Sequence, residues 1–171
     1  GQVLWRIGIV ASGPSATVQD ARKLRDCCDQ LIAINDSWHL CRGDDGDYFN
    51  DIIYGTDMKW WNYAIGDIAN DFDGDLWTQR VGWTEEPEKL GINCLESECK
   101  PDLCATPGKI HTGNNSGFAA INLAYHLLSS APSKTIVLLG YDMRVNGNRR
   151  HHGMVNRPEQ LNVVSDNNQF I

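Results

Sequence analysis

The sequence lacks the features of several large protein classes. Its longest N-terminal apolar run, from Val3 to Ala11, is too short to span a membrane and has no signal-peptide cleavage pattern. No block of basic residues is present, and 22 acidic side chains outnumber 15 Lys and Arg to give a net charge of −7. We therefore expect a soluble, intracellular protein that binds neither a membrane nor duplex nucleic acid.

Familiar phosphate-binding motifs are also missing. The turn at Ser12-Gly13-Pro14 is not part of a full Gly-x-Gly-x-x-Gly, so it is no dinucleotide fingerprint. The sequence Pro107-Gly-Lys109 lacks the first glycine of a P-loop, which disfavours an ATPase. Internal repeats and domain linkers are absent from the sequence as well.

The six cysteines do not form the Cys-x-x-Cys pairs of structural zinc sites. Cys27 and Cys28 are adjacent, whereas Cys94, Cys99 and Cys104 are each separated by four residues. We favour free thiols in a reducing compartment. A disulfide within segment 94–104 and a metal site that includes His111 are the alternatives.

With 171 residues and 42% hydrophobic content, the chain is predicted to form a single domain over 1–171. Segment 81–111 has little periodicity and holds three of the six prolines. We predict a long loop or lid there, passing over the ends of the strands. Four tryptophans lie in the middle of the chain, and we favour a core role for them over stacking on a base or sugar. They are Trp60, Trp61, Trp77 and Trp83.

The clearest structural unit runs from Gly113 to Asp142. Residues 118–128 are apolar at the spacing of one helical face, and Ile136 to Leu139 is a short apolar run typical of a buried parallel strand. Asn115 or Ser116 can cap the helix, whose free N–H groups favour an anion.

The N-terminal third shows a second unit of the same kind. A strand from Leu4 to Ala11 leads into a glycine turn in which Ser15 can cap a helix, and a second strand spans Leu31 to Ile34. Further strands are predicted at Tyr48–Tyr54 and Leu76–Gln79, with a short helix beginning at Lys59. The pattern predicts a Rossmann-like α/β fold, with a doubly wound, mostly parallel sheet and helices on both faces.

Polar residues follow the predicted strands. Each alone is ordinary turn chemistry, but in a parallel sheet the carboxyl ends of the strands share one edge, where ligands bind. Together with the helix start, these residues predict a nucleotide or phosphate site. They are Ser12, Gly13, Asn35, Asp36, Asp57, Asn115, Ser116, Gly117, Tyr141 and Asp142.

These motifs resemble a known family. Ala11-Ser-Gly-Pro-Ser15, Ile34-Asn-Asp36 and the stretch from Thr112-Gly-Asn-Asn-Ser-Gly117 to Leu139-Gly-Tyr-Asp142 look like small phage-encoded proteins related to the pterin-pyrophosphokinase-like superfamily. Over about a third of the chain, the order of motifs also resembles the bacterial lipooligosaccharide sialyltransferases. In those enzymes a glycine-rich turn, an Asn after the second strand and a Ser-Gly helix start hold a cytidine nucleotide sugar.

The resemblance implies roles for particular residues. Ser12, Gly13 and Pro14 would form the phosphate or ribose turn, and Asn35 would contact the nucleotide. Ser116 and Gly117 would bind near the base or ribose, and Asp142 would close the pocket. The catalytic candidates are Asp142 with His151 or His152, the expected region of a general base; Arg149 and Arg150 could neutralise a leaving diphosphate. Alternatively, the two histidines are solvated loop residues and the two arginines are ordinary surface charges.

The sequence departs from the enzyme pattern in two places. Ala-Ser-Gly-Pro replaces Gly-Asn-Gly-Pro in the first turn, and no further helix and strand is evident between the histidines and Ile171. Asp45-Gly-Asp47 and Asp73-Gly-Asp75 match the loose Asp-x-Asp pattern that holds a cation in some glycosyltransferases. The tripeptide Asp-Gly-Asp is also common in turns, and we predict no metal site there.

The leading hypothesis is a nucleotide-binding transferase that transfers a glycosyl group from a nucleotide sugar. An ATP-dependent pyrophosphokinase is the second hypothesis and would require a divalent cation. The third is a non-enzymatic phage accessory or virion-associated protein that retains the fold. The expected partner is a small-molecule nucleotide, with no resident cofactor. The expected location is the cytoplasm, that of the host for a phage protein, or the virion.

Overall fold

A computed structural model describes residues 5–142 of the chain and the backbone of residues 161–164. In these residues eight strands form one sheet in the order β6-β5-β4-β3-β2-β1-β7-β8. Strands β1 to β7 pair in parallel, and β8 pairs antiparallel with β7. The strands are Arg6–Val10 (β1), Gln30–Ile34 (β2), Ile52–Tyr54 (β3), Asp75–Gln79 (β4), Asn93–Glu98 (β5), Lys109–His111 (β6), Thr135–Leu139 (β7) and Leu161–Val164 (β8).

Three α-helices of the described residues cover the two faces of the sheet. Helices α1 (Val18–Cys27) and α2 (Met58–Asp71) lie on one face together with a 3-10 helix at Asn35–Cys41. Helix α3 (Ser116–Leu127) lies on the opposite face. The predicted Rossmann-like, doubly wound and mostly parallel fold is confirmed.

The central strands are buried on both faces, as their apolar runs indicate. In β7, Ile136 and Leu138 pack with α3, while Val137 and Leu139 face the side of the sheet that α1 covers. The same alternation places Ile7 and Ile9 of β1 on the α3 side. Burial on both faces explains why these strands read as continuous apolar segments instead of alternating ones.

Segment 81–111 differs from its prediction. It is not a long loop, because it contains a 3-10 helix at Pro87–Leu90 and the strands β5 and β6, which extend the sheet. Leu95 is the only buried residue of β5, and β6 is three residues long. Strands near a sheet edge need little apolar sequence, so the periodicity that reveals central strands is missing here.

Two smaller predictions also need correction. The third strand is confined to Ile52–Tyr54, since Tyr48 makes an isolated bridge to Arg42 and packs on Trp38. The helix expected to be short at Lys59 runs for 14 residues.

The two helix starts were predicted with unequal success. Asn115 is the N-cap of α3, as expected, and its side chain accepts a hydrogen bond of 2.7 Å from the Phe118 N–H. For α1, however, the cap is Thr17, which accepts from the Asp20 N–H, and not Ser15. The Ser15 hydroxyl instead donates a hydrogen bond to Asp142 Oδ1.

The tryptophans belong to the core, as predicted. Trp61 is fully buried and donates to the Gly55 carbonyl over 2.9 Å. Trp60, Trp77 and Trp83 are half-buried and pack against the two hydrophobic clusters. None of the helices within the described residues is long and apolar enough to cross a membrane.

The six sulfurs lie in different surroundings. Cys41 is buried, and this burial raises the pKa of its thiol to about 12. Cys104 is buried, whereas Cys99 is exposed and donates to the Asn114 side-chain oxygen. All six are free cysteines in this structure.

Candidate functional site

The order of the strands reverses between β1 and β7. From β1 the chain adds β2 to β6 on one side, and it then returns across the opposite face through α3 to place β7 on the other side of β1. The loops after β1 and β7 therefore lie side by side at the carboxyl ends of these strands, next to the start of α3, and we call the surface that they form the crevice. Open α/β sheets bind ligands at this topological switch point.

Two glycines allow the loops at the crevice to approach closely. The Gly13 N–H donates to the Gly140 carbonyl over 2.8 Å. A Cβ on Gly13 would lie 2.2 Å from that carbonyl oxygen and 2.6 Å from Asp142 Oδ1. Gly140 has a φ of +80°, and its own Cβ would lie 2.3 Å from the Ala11 carbonyl oxygen. Any larger residue would separate the two loops.

Asp142 is held at the base of this crevice. Its side chain is 3% exposed, and Oδ1 accepts a short hydrogen bond from the Ser15 hydroxyl. The second carboxylate oxygen, Oδ2, is buried and has no hydrogen-bond partner in the part of the chain that the structure describes. Buried carboxylate oxygens normally accept hydrogen bonds, so Oδ2 has unused accepting capacity.

The first turn of α3 forms the next wall. The Tyr141 ring packs against Gly117, where an added Cβ would lie 3.0 Å from a ring carbon. The Tyr141 hydroxyl donates to the Gly117 carbonyl over 3.0 Å, and burial raises the pKa of Tyr141 above its ordinary range. Tyr141 is thus a neutral hydrogen-bond donor that fixes the helix start beside β7.

The turn after β2 has an unusual backbone. Asn35 adopts a left-handed conformation with φ of 50°, which residues other than glycine rarely adopt. Its neighbour Asp36 is exposed and accepts from the Trp60 indole N–H over 3.0 Å. The backbone turn directs the chain from β2 into the 3-10 helix within a single residue.

A polar cleft of about 300 Å³ continues from α3 over the carboxyl ends of β3 to β6. Most of its walls are hydroxyl or amide side chains. The lining residues are Thr56, Asp57, Gln79, Val81, Ser97, Cys99, Thr112, Asn114, Asn115 and Ser116.

A hydrogen-bond network fixes one wall of the cleft. The Ser116 hydroxyl donates to Thr56 Oγ1 over 3.0 Å. Gln79, which is 2% exposed, donates to the Thr56 carbonyl over 3.0 Å and accepts from the Ser97 hydroxyl over 2.6 Å. Because each link constrains the next, these polar groups are held in place before any ligand binds.

The structure brings some of the predicted site residues together and separates others. Gly13 meets Asp142, and Gly117 meets Tyr141, at the crevice. Asp57, Asn115 and Ser116 line the cleft instead. Ser12 and Pro14 are exposed on the turn after β1. The predicted residues Arg149, Arg150, His151 and His152 lie outside the described residues.

Sequence reasoning missed several residues of the site. Ser15 binds Asp142 across 127 residues of sequence, and no local pattern indicates that contact. Gln79 ends β4, which is a predicted strand, but its side chain was not singled out. Ser97 and Thr112 lie at the ends of β5 and β6, so finding them required these two strands, which no sequence pattern indicated. Recognition of those strands would have revealed the cleft.

The two Asp-Gly-Asp segments form turns. Asp45 accepts from the Asp47 N–H over 3.0 Å, which is turn chemistry, and Asp73 and Asp75 flank a turn into β4. In residues 5–142, no group of three His, Cys, Asp or Glu side chains converges as metal ligands. His111 instead bonds through Nδ1 to Asp102 Oδ1 over 3.0 Å.

Comparison of the chain with protein-family models, with curated proteins and with solved structures gives no match.

Proposed function

We propose that the protein is a nucleotide-binding transferase that transfers a glycosyl group from a nucleotide sugar. The observation that carries the proposal is the crevice at the β1/β7 switch point, where Gly13, Gly117 and Asp142 converge. Its position is the one at which doubly wound folds bind nucleotides. The resemblance of its loops to those of lipooligosaccharide sialyltransferases adds the glycosyl class.

Each wall of the crevice suits one part of a nucleotide. The start of α3 provides the positive end of a helix dipole, which favours phosphate. The exposed Ser12 hydroxyl, on the turn after β1, can exchange hydrogen bonds with a ribose hydroxyl. Asn35 lies at the carboxyl end of β2, next to β1, where its amide can donate to and accept from a base.

In the reaction, the crevice residues bind and orient the donor while the departing phosphate is stabilised by helix-end N–H groups and cations. Arg149 and Arg150 are the cations, and His151 or His152 is the general base that deprotonates the acceptor hydroxyl. We assign the reaction to the cytoplasm, that of the host cell for a phage-encoded protein.

The proposal is tested by thermal unfolding with CMP, UDP, GDP, ADP and ATP, each with and without magnesium. A nucleotide at about 100 times its dissociation constant adds roughly 2.7 kcal/mol, a shift of about 5–10 °C for a chain of this length. We expect a metal-independent shift with CMP or UDP. A response to ATP that requires magnesium would favour pyrophosphoryl transfer, and no response to any nucleotide would favour a non-enzymatic accessory or virion protein.

Two variants locate the binding site. Asn35→Gly removes the side-chain amide, and glycine adopts the left-handed backbone of this position without strain. A loss of nucleotide binding in this variant therefore reports the amide, whereas an alanine would also strain the backbone. Gly117→Ala adds a Cβ that would lie 3.0 Å from the Tyr141 ring at the α3 start, and Gly66→Ala is its exposed control outside the crevice. The first two variants should lose the nucleotide shift and the control should keep it.

A further inference from the structure

We infer that the cleft over β3 to β6 binds the acceptor of the transfer, and that this acceptor is a neutral sugar. The inference rests on the proposed function, because an acceptor is defined only for a transferase. It assigns the cleft a ligand different from the nucleotide in the crevice.

The cleft lies where an acceptor has to lie. Ser116 lines the cleft, and the next residue, Gly117, contacts Tyr141 in the crevice. The cleft and the crevice therefore share the first turn of α3. Ligands bound in both would lie side by side, as transfer from one to the other requires.

Unused polar groups in the cleft match the hydroxyls of a sugar. Asp57 stands at the N-cap position of α2, but its carboxylate does not cap the helix and lines the cleft instead. The Thr112 hydroxyl and the side-chain N–H groups of Asn114 and Asn115 make no hydrogen bond within residues 5–142. Sugar hydroxyls both donate and accept, so they can satisfy this mixture of carboxylate, hydroxyl and amide groups.

The charge of the cleft favours a neutral ligand. Asp57 is the only carboxylate, and no Lys, Arg or His is found among the lining residues that the structure describes. A phosphorylated or carboxylated acceptor would place its negative charge near Asp57 without a cation to offset the repulsion. Val81 is 63% exposed at the rim and offers an apolar surface to the C–H groups of a sugar ring.

The wall formed by Ser97, Gln79 and Thr56 makes the cleft a prepared site. Their hydrogen bonds are already formed, so binding would not have to order these side chains. A surface groove with mobile polar residues would lose more conformational entropy on binding.

The chain contains its own reporter for the test. Cys99 is exposed and lines the cleft, while Cys27 is exposed at the end of α1, at the opposite edge of the sheet. Alkylation of both thiols by a maleimide is measured by mass spectrometry, with Cys27 as the internal control. The probes are methyl glycosides of glucose, galactose, mannose, N-acetylglucosamine and N-acetylgalactosamine, compared with glycerol phosphate.

We expect at least one neutral glycoside to slow alkylation of Cys99 and to leave Cys27 unchanged. At about twice the dissociation constant the slowing is about threefold. Asp57→Ala should abolish this protection, whereas Asp67→Ala, an exposed change of the same type on α2, should keep it. Asp57→Asn replaces the alanine variant if the latter fails to fold, with the same expected loss.

The inference is overturned if no neutral glycoside protects Cys99, if glycerol phosphate protects it more strongly, or if protection survives the change at Asp57. Nucleotide-dependent unfolding is measured on the same preparation. A nucleotide shift without glycoside protection would leave the proposed transferase standing and remove only the acceptor site. Loss of both would remove the two proposals together.

Discussion

At the scale of single residues, Gly140 controls how closely the loops after β1 and β7 approach. It has a positive φ, and an added Cβ would lie 2.3 Å from the Ala11 carbonyl oxygen. We predict that Gly140→Ala lowers the free energy of unfolding by at least about 1–3 kcal/mol and weakens nucleotide binding. Urea denaturation measures the first effect and calorimetric titration with the nucleotide measures the second.

Gly66 is the matched control for this change. It lies exposed on α2, and a Cβ there would have no neighbour within 4 Å. Because glycine weakens a helix interior, Gly66→Ala should stabilise the protein by about 0.5–1 kcal/mol. Equal losses in the two variants would contradict the close approach described for Gly140.

Glu98, at the end of β5, predicts a dependence of stability on pH. Hydrogen bonds from Lys109 and Lys100 lower the pKa of its carboxyl to about 2. The charged form is thus favoured by folding, so its contribution is complete above the ordinary pKa of 4.5 and is lost as the pH falls toward 2. We expect the stability difference between the protein and Glu98→Gln to shrink over this range, as urea midpoints at successive pH values would show. A constant difference would contradict it.

At the scale of elements, Arg25 ties the end of α1 to the starts of β2 and β3. It donates to the Cys28 and Asp29 carbonyls over 2.9 and 2.8 Å and to Asp51 Oδ2 over 2.5 Å. Asp51 Oδ2 also accepts from the Leu31 N–H over 2.8 Å. An ammonium group cannot reproduce this planar fork.

We therefore predict that Arg25→Lys lowers the free energy of unfolding by about 1–3 kcal/mol in urea denaturation. Arg22 provides the control, since its pairing with Asp44 is an exposed surface contact. Arg22→Lys should change stability by less than about 1 kcal/mol. A similar small effect at both positions would show that Arg25 does not connect the three elements.

The helices and strands that could be predicted are those whose burial requires apolar residues at a regular spacing or in a continuous run. The α3–β7 unit was found because its apolar residues recur at helical spacing and because Ile136 to Leu139 form a continuous apolar run. The predicted face, which consisted of Phe118, Ile121, Tyr125 and Leu128, was only partly right, since the residues buried against the sheet include Ala119, Ala120 and Leu123. Strands β5 and β6 were missed because short, partly exposed strands carry polar residues such as Glu96 and Lys109. Their stability comes from pairing with neighbours, which a local pattern does not record.

The same distinction between local patterns and contacts of distant segments applies to the candidate site. Turn residues directly after central strands, such as Gly13 and Asp142, were predicted because parallel topology places the strand ends together. Contacts between distant segments, such as Ser15 with Asp142 or Ser97 with Gln79, depend on side-chain directions. Composition and spacing contain no information on those directions.

At the scale of the whole molecule, the reversal of strand order determines where the loops after β1 and β7 meet the start of α3. Every connection from β1 to β6 proceeds in one direction, and only α3 reverses it. The crevice and the cleft both follow from that reversal, because α3 begins between them. Our central proposal is therefore that a nucleotide binds at the β1/β7 switch point.

Hydrogen–deuterium exchange with and without CMP or UDP tests that claim most directly. We predict slower amide exchange in residues 11–16, 34–37, 112–118 and 139–142, the segments that form the crevice. The acidic turn at residues 43–47 lies away from the crevice and should exchange at an unchanged rate. Exchange that is unaffected in all four segments, or protection confined to other parts of the sheet, would contradict a nucleotide site at the switch point.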